Sequence, residues 1–325
     1  MRKLCFIIPY FGELPNYFPL FLKTCEYNPE FNWIIFTDDN RNFEYPANVQ
    51  KVSMNFEDCK LLIQSKFELE INLPKPYKLC DLKPMYGYIF NDYIKDYSHW
   101  GYCDLDIILG NLGKYLTDDI LAKYDKLFCL GHMTIFKNTP YHNQLFMSPV
   151  SGKVIYMNIL SNPSICWFDE EWNNNYNINK IYEQHERIIY TNDLSFNIAV
   201  SYNHFRRSQY VGKKNAPPHG FKIEHEKKAL YIWEKGDLYR LYLKNGEIVR
   251  EDFLYMHLQK RQMRIKPSVL RMKKFKIVPD EFLPIEVENI DSNNFNIIKK
   301  YGHCHHVRQI LLDRIKNKLK KLFVL

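Results

Sequence analysis

Four short, mostly apolar runs, each stopped by turn or polar residues, limit the fold of this chain more than any other feature. They cover residues 4–8, 33–36, 100–105 and 126–130. Runs of that length read as buried strands rather than helices, which need ten or more residues. The stretches between them have helical spacing: Tyr17, Leu20, Phe21 and Leu22 in the first, then predicted helices over 56–70 and 79–93. Pro84 falls early in the latter, where a first turn tolerates proline. Thr117 is placed to cap a further helix, with Asp118 and Asp119 in its first turn. Strands alternating with helices predict an α/β domain with a mostly parallel central sheet and flanking helices. Such sheets bind ligands beyond the carboxyl ends of their strands. Three of those ends carry polar clusters here: Pro9-Tyr10, Thr37-Asp38-Asp39 and Asp104-Leu105-Asp106.

The second half is less regular. Residues 167–176 read as a loop. Residues 229–242, followed by Lys244-Asn-Gly-Glu247, predict a hairpin with an Asn-Gly turn, and 267–284 reads as a basic connector. At the end of the chain Leu312, Ile315, Leu319 and Leu322 recur at helical spacing. Arg308, Arg314, Lys316, Lys318, Lys320 and Lys321 occupy the other faces. A basic amphipathic helix of this kind suits an anionic membrane surface; docking on the protein's own body is the other reading.

The net charge of +8 points to an anionic partner. Because the basic residues concentrate in the tail rather than in a central patch, nucleic acid is disfavoured. Eight cysteines without a C-x-x-C pair read as free thiols in a reducing compartment. The run His303-Cys-His-His306 lacks a second ligand group and is a weak metal candidate. The apolar stretch after Met1 is too short for a signal-peptide core, and no segment reaches membrane-span length. A cytoplasmic protein, peripheral at the inner face of the cell membrane, is therefore expected.

Asp104 and Asp106 carry the chemistry. Two carboxylates at i and i+2, where a strand breaks into a loop, can face one divalent cation. Mg²⁺ and Mn²⁺ take oxygen ligands and leave room for substrate phosphates, and such a cation neutralises a diphosphate leaving group. The plainer reading is a pair of solvated turn carboxylates.

Five segments together resemble the nucleotide-sugar-dependent glycosyltransferases of the GT-A fold, in particular a bacterial group associated with capsule and surface polysaccharide synthesis. They are Phe6-Ile-Ile-Pro-Tyr-Phe11, Ile34-Ile-Phe-Thr-Asp-Asp39, Pro76-Tyr-Lys-Leu-Cys-Asp-Leu-Lys-Pro-Met85, Trp100-Gly-Tyr-Cys-Asp-Leu-Asp106 and Tyr255-Met-His-Leu-Gln-Lys-Arg261. The resemblance implies a Rossmann-like catalytic domain over 1–262, with a donor half to about 125 and an acceptor half from 126, followed by a connector and tail over 263–325. It implies that Asp104 meets ribose or metal, that Asp106 binds metal, and that His257 completes the shell of a Mn²⁺ or Mg²⁺ ion, with Lys260 on the diphosphate. Pro9, Tyr10 and Asp38 would hold uracil or ribose. Lys78 and Lys83 could meet phosphate and Asp81 a sugar hydroxyl, although ordinary capping and solvated charge explain these three nearly as well. Gly131-His132 could touch the transferred sugar.

An inverting reaction needs a carboxylate to take the acceptor's proton. Asp193 fits, at the start of a predicted helix over 194–200, where a plain helix cap is an equal explanation. Asp169 and Glu170, flanked by Trp167 and Trp172 as sugar platforms, are the other candidates. The implied partners are a UDP-sugar donor and a lipid-linked oligosaccharide or glycan acceptor. A sugar nucleotidyltransferase would need a Gly-rich basic loop after the first strand, and Pro9-Tyr-Phe-Gly12 has no basic residue. A non-catalytic module binding glycan or nucleic acid would tolerate change at Asp104 and Asp106.

Overall fold

The apolar runs do become strands. The computed structural model describes residues 2–171, 175–259 and 261–322; in its last helix the side chains of residues 313 and 317–322 are not among those described. In chain order come β1 (Arg2–Pro9), β2 (Phe31–Thr37), β3 (Val49–Ser53), β4 (Tyr97–Cys103), β5 (Ile107–Leu109), β6 (Lys126–Leu130), β7 (Met133–Lys137), β8 (Ile189–Tyr190) and β9 (Ser195–Asn197). The chain divides into two compact units. The first comprises Met1–Leu105, Leu112–Asp193 and Tyr210–Phe221, and the second comprises Asp106–Asn111, Leu194–Gln209 and Lys222–Leu325.

The first unit is built on a seven-stranded sheet in the order β3-β2-β1-β4-β7-β6-β8. Strands β3, β2, β1 and β4 run parallel, as does the β6–β8 pair, while β7 is antiparallel to both β4 and β6. The sheet is therefore mostly parallel, as expected, with β7 its antiparallel strand. Its central strands are apolar on both faces, as continuous hydrophobic runs require. Phe6 stacks on Trp33 at 5.5 Å and Trp100 on Phe136 at 4.6 Å. Each such large side chain taken out of water contributes on the order of 1.5–3 kcal/mol.

Two predicted helices come out shorter or wound differently. The one expected over 56–70 is Phe56–Gln64, capped by Asn55. The one expected over 79–93 is a 3₁₀ segment, Pro76–Met85, followed by a single α turn, Tyr86–Ile89. With the winding starting at Pro76, Pro84 lies in its interior rather than its first turn, and an α-helix there would lose a hydrogen bond and clash with the preceding turn. Thr117 caps Asp118–Lys123 as expected, accepting from Ile120 N at 3.4 Å.

The second unit has a six-stranded sheet formed by residues 230–284. Leu230–Glu234 and Asp237–Lys244 form one hairpin, and Asp237–Lys244 pairs with Glu247–Asp252 through Asn245-Gly246. Both turn residues have positive φ, 53° and 85°, as a tight hairpin turn demands. The expected connector over 267–284 is not a linker. It contains helix Pro267–Arg271 and strands Lys274–Val278 and Glu281–Pro284, which complete that sheet. Trp233 stacks on Phe275 at 5.2 Å to seal the pairing. A separate three-stranded sheet in the same unit has Tyr255–His257 at its centre, antiparallel to β5 and parallel to β9. The chain closes with helix His306–Leu322.

Candidate functional site

Strand order places three polar strand ends together. Strands β2, β1 and β4 are adjacent and parallel, so Thr37-Asp38, Pro9-Tyr10 and Cys103-Asp104 finish at the same edge of the sheet. At β1, Tyr10 N donates to Phe36 O at 2.8 Å. After β2 the two acids diverge. Asp39 is buried, and the Arg41 guanidinium bonded to it pulls its carboxyl well below the ordinary range, assisted by backbone donors from Leu14 and Arg41. That carboxylate is committed to holding the turn. Asp38 is exposed and accepts from Gly12 N at 2.7 Å through Oδ1.

At the end of β4, Asp104 N donates to His132 O at 3.1 Å. Its Oδ1 accepts from Lys83 Nζ at 2.6 Å, and the same ammonium donates to Gly131 O at 2.8 Å and lies 3.7 Å from Asp169 Oδ2. Burial disfavours the charge on Lys83, but Asp104 and Asp169 outweigh that and raise its pKa well above the ordinary lysine value. Burial likewise pushes the Asp169 carboxyl up, against the pull of Lys83. Gly131 leaves the room this requires: a Cβ there would sit 2.5 Å from Asp169 Oδ2.

Asp106 is fixed by a different set of elements. Leu258 N donates to its carbonyl at 2.8 Å as β5 starts, and the Trp233 indole N–H donates to Leu109 O at 3.0 Å where β5 ends. His257 stands opposite Ile107 on one side and Asn197 on the other. Its Nε2 is 3.3 Å from Asp106 Oδ1, and its Nδ1 is 3.0 Å from Asn197 Oδ1, which also accepts from Gln259 Nε2 at 2.6 Å.

Leu105 alone separates the two aspartates along the chain. One ligand atom from each of Asp104, Asp106 and His257 lies within 4.8 Å of the others. Two carboxylate oxygens and one imidazole nitrogen form a donor set suited to Mn²⁺, and Mg²⁺ would accept the oxygens.

Other expected site residues fall elsewhere. Lys78 and Asp81, expected to meet phosphate and a sugar hydroxyl, are fully buried and bonded to each other at 2.8 Å. Lys78 also donates to Ser164 O, while Asp81 accepts from Cys166 N and Phe168 N. They clamp the segment that leads into Asp169. Asp193 does not begin a helix. The residues after it form β9, because Ser195, Phe196 and Asn197 pair with Tyr255–His257, and its own Oδ2 accepts from Tyr210 N at 2.9 Å. His132 is buried beside Gly131. Among the described residues the His303–His306 run contributes to no metal-ligand group, and His306 Nε2 lies 3.1 Å from Val200 O. Lys260 and Trp172 lie outside the described residues.

Sequence reading missed Asn197 and Gln259. The available signal for Asn197 was the pair of polar residues, Ser195 and Asn197, that flank Phe196 within 194–200, at the alternate positions that a strand would turn away from it.

Residues 6–286 match a family described as a family of unknown function, DUF6625. No curated protein matches the chain. Similar solved structures include the galactosyltransferase LgtC in complex with donor and acceptor sugar analogues, at 13% identity, TM-score 0.32, over 60% of this chain and 75% of that one. An active-site mutant of LgtC matches at 12% identity and TM-score 0.32, over 60% and 74%. Mouse xyloside xylosyltransferase 1 in its apo form matches at 8% identity and TM-score 0.38, over 78% and 96%. None of these superpositions is close enough to carry a residue's role across.

Proposed function

The chain belongs to the DUF6625 family, of unknown function, and from that premise we propose that it is a metal-dependent glycosyltransferase moving a sugar from a UDP-sugar to a hydroxyl of a glycan acceptor. The observation that carries this reading is the Asp104, Asp106 and His257 trio, whose ligand atoms lie within 4.8 Å of one another, at the carboxyl end of a central strand. A divalent cation held by those three would offset the charge that builds on the departing diphosphate.

The remaining chemistry falls to side chains. Asp38, exposed at the end of β2, accepts hydrogen bonds from ribose or uracil, with Pro9 and Tyr10 lining the adjacent strand end. Lys83 supplies a fixed positive charge beside the diphosphate. We assign the acceptor's proton to Asp169 ahead of Asp193. Asp169 lies 3.7 Å from the Lys83 ammonium that also holds Asp104, which puts its carboxyl beside the donor site. Asp193 already accepts from the Tyr210 amide. Lys260 keeps its assignment to the diphosphate from the resemblance alone.

We further propose a lipid-linked oligosaccharide as acceptor, in surface polysaccharide synthesis at the inner face of the cell membrane. Support comes from helix His306–Leu322, where Leu311, Leu312 and Ile315 are exposed together with Arg308, Arg314 and Lys316. No described helix is long and apolar enough to cross a membrane. Mixing purified protein with a panel of UDP-sugars, Mn²⁺ and a membrane extract tests the reading. Release of UDP from one donor is expected, and no release from any donor would overturn it.

A further inference from the structure

We propose that Asn197 is the positioning residue that makes His257 a metal ligand, by holding its ring in the Nδ1–H tautomer with the Nε2 lone pair turned toward Asp106. This rests on the reading of Asp104, Asp106 and His257 as a divalent-cation site. Asn197 and His257 sit directly opposite each other on parallel strands, and both are buried, at 5% and 7% exposure. The strand is anchored through its other face. Phe196 packs edge-on against Tyr231 at 4.8 Å and Phe253 at 5.2 Å, so the two-residue strand period turns Asn197 to the opposite side.

The carboxamide oxygen of Asn197 lies 3.0 Å from His257 Nδ1. An oxygen can only accept, so the nitrogen facing it carries the proton and the far nitrogen keeps its lone pair. The second partner of that oxygen agrees: Gln259 Nε2 donates to it at 2.6 Å. Gln259 has φ of 59°, a left-handed conformation that a non-glycine residue adopts at a cost, and it returns the side chain to Asn197 two residues after the histidine. With both amides turned over, the Asn197 NH₂ would face Nδ1, and Nε2 would carry a proton aimed at Asp106 Oδ1, 3.3 Å away. That ring could not bind a cation. Outer partners of ligating histidines act in this way, fixing tautomer and orientation. A neutral acceptor does so without adding a third negative charge beside the two carboxylates.

The test uses the full chain, calorimetric titration with Mn²⁺ alone, and ¹⁵N NMR of the histidine rings without metal, with His257→Gln identifying the signal. In the wild type His257 is expected to carry its proton on Nδ1. Asn197→Leu should weaken Mn²⁺ binding on the order of 10- to 100-fold and move the proton to Nε2. Asn197→Asp, which restores an acceptor at the same place, should keep the Nδ1–H form and bind Mn²⁺ at least as well as the wild type. Equal affinity in Asn197→Leu, or an Nε2–H ring in the wild type, overturns this proposal while the donor-site reading stands. A wild type that binds no Mn²⁺ overturns both. If Asn197→Leu fails to fold, the wild-type tautomer and the Asn197→Asp affinity decide.

Discussion

Lys83 serves two carboxylates with one ammonium, 2.6 Å from Asp104 and 3.7 Å from Asp169. That arrangement divides the acids by task. Asp104 and Asp106 are partly exposed, with side chains 32% and 26% accessible, and can receive a ligand; Asp169 is buried and can hold a proton. Asp106→Ala removes a ligand itself rather than a supporting partner. Its Mn²⁺-dependent UDP binding, measured by calorimetry, should fall by at least about 100-fold, beyond the effect of most outer partners. Asp169→Asn keeps the shape and loses the base. We expect kcat for sugar transfer to drop by about 10²–10⁴ with little change in KM for the donor. A kcat near wild type would return the proton to another acid.

At the scale of elements, strands were legible wherever burial was continuous. Residues 4–8, 33–36, 100–103 and 126–130 each lie in the seven-stranded sheet, where side chains on both faces are mostly apolar and length alone rules out a helix. The placing of Asp104 and Asp106 just past a strand was legible for the same reason, since they follow such a run; His257 came from the resemblance alone. What escaped was β9. Its alternation of apolar and polar residues is short, and Leu194 to Val200 suits either a helix or a strand until Tyr255–His257 is there to pair with. The 3₁₀ winding of Pro76–Met85 escaped as well, because spacing of apolar residues hardly distinguishes three from 3.6 residues per turn over ten positions. Lys78 and Asp81 looked like site residues because they lie in one of the segments that carry the resemblance; only the fold reveals that each is the other's partner. The turn after that segment has a narrow tolerance. At Gly87 a Cβ would fall on the Trp100 ring. Gly87→Ala should therefore destabilise the protein by about 1–3 kcal/mol, the usual cost of overpacking, seen as a lower urea midpoint at unchanged m-value.

For the whole molecule, the tail is the part whose removal can be read directly. Deleting residues 306–325 should move the protein from anionic vesicles to the supernatant in a sedimentation assay while leaving UDP release from the donor, with a soluble acceptor present, intact. Continued co-sedimentation would mean that the helix serves the protein body instead. The cysteines supply a control for every variant above. Cys5, Cys25, Cys59, Cys103 and Cys129 are buried, while Cys80, Cys166 and Cys304 are partly open, and all eight are thiols outside any disulfide. Brief alkylation of the folded protein should thus leave those five thiols unmodified, and mass spectrometry after denaturation in excess reagent should add them all. A variant that loses activity yet keeps five thiols protected has lost chemistry; one that takes up label throughout has lost its interior. The scattered thiols thereby give the molecule a built-in mass tag for its own integrity.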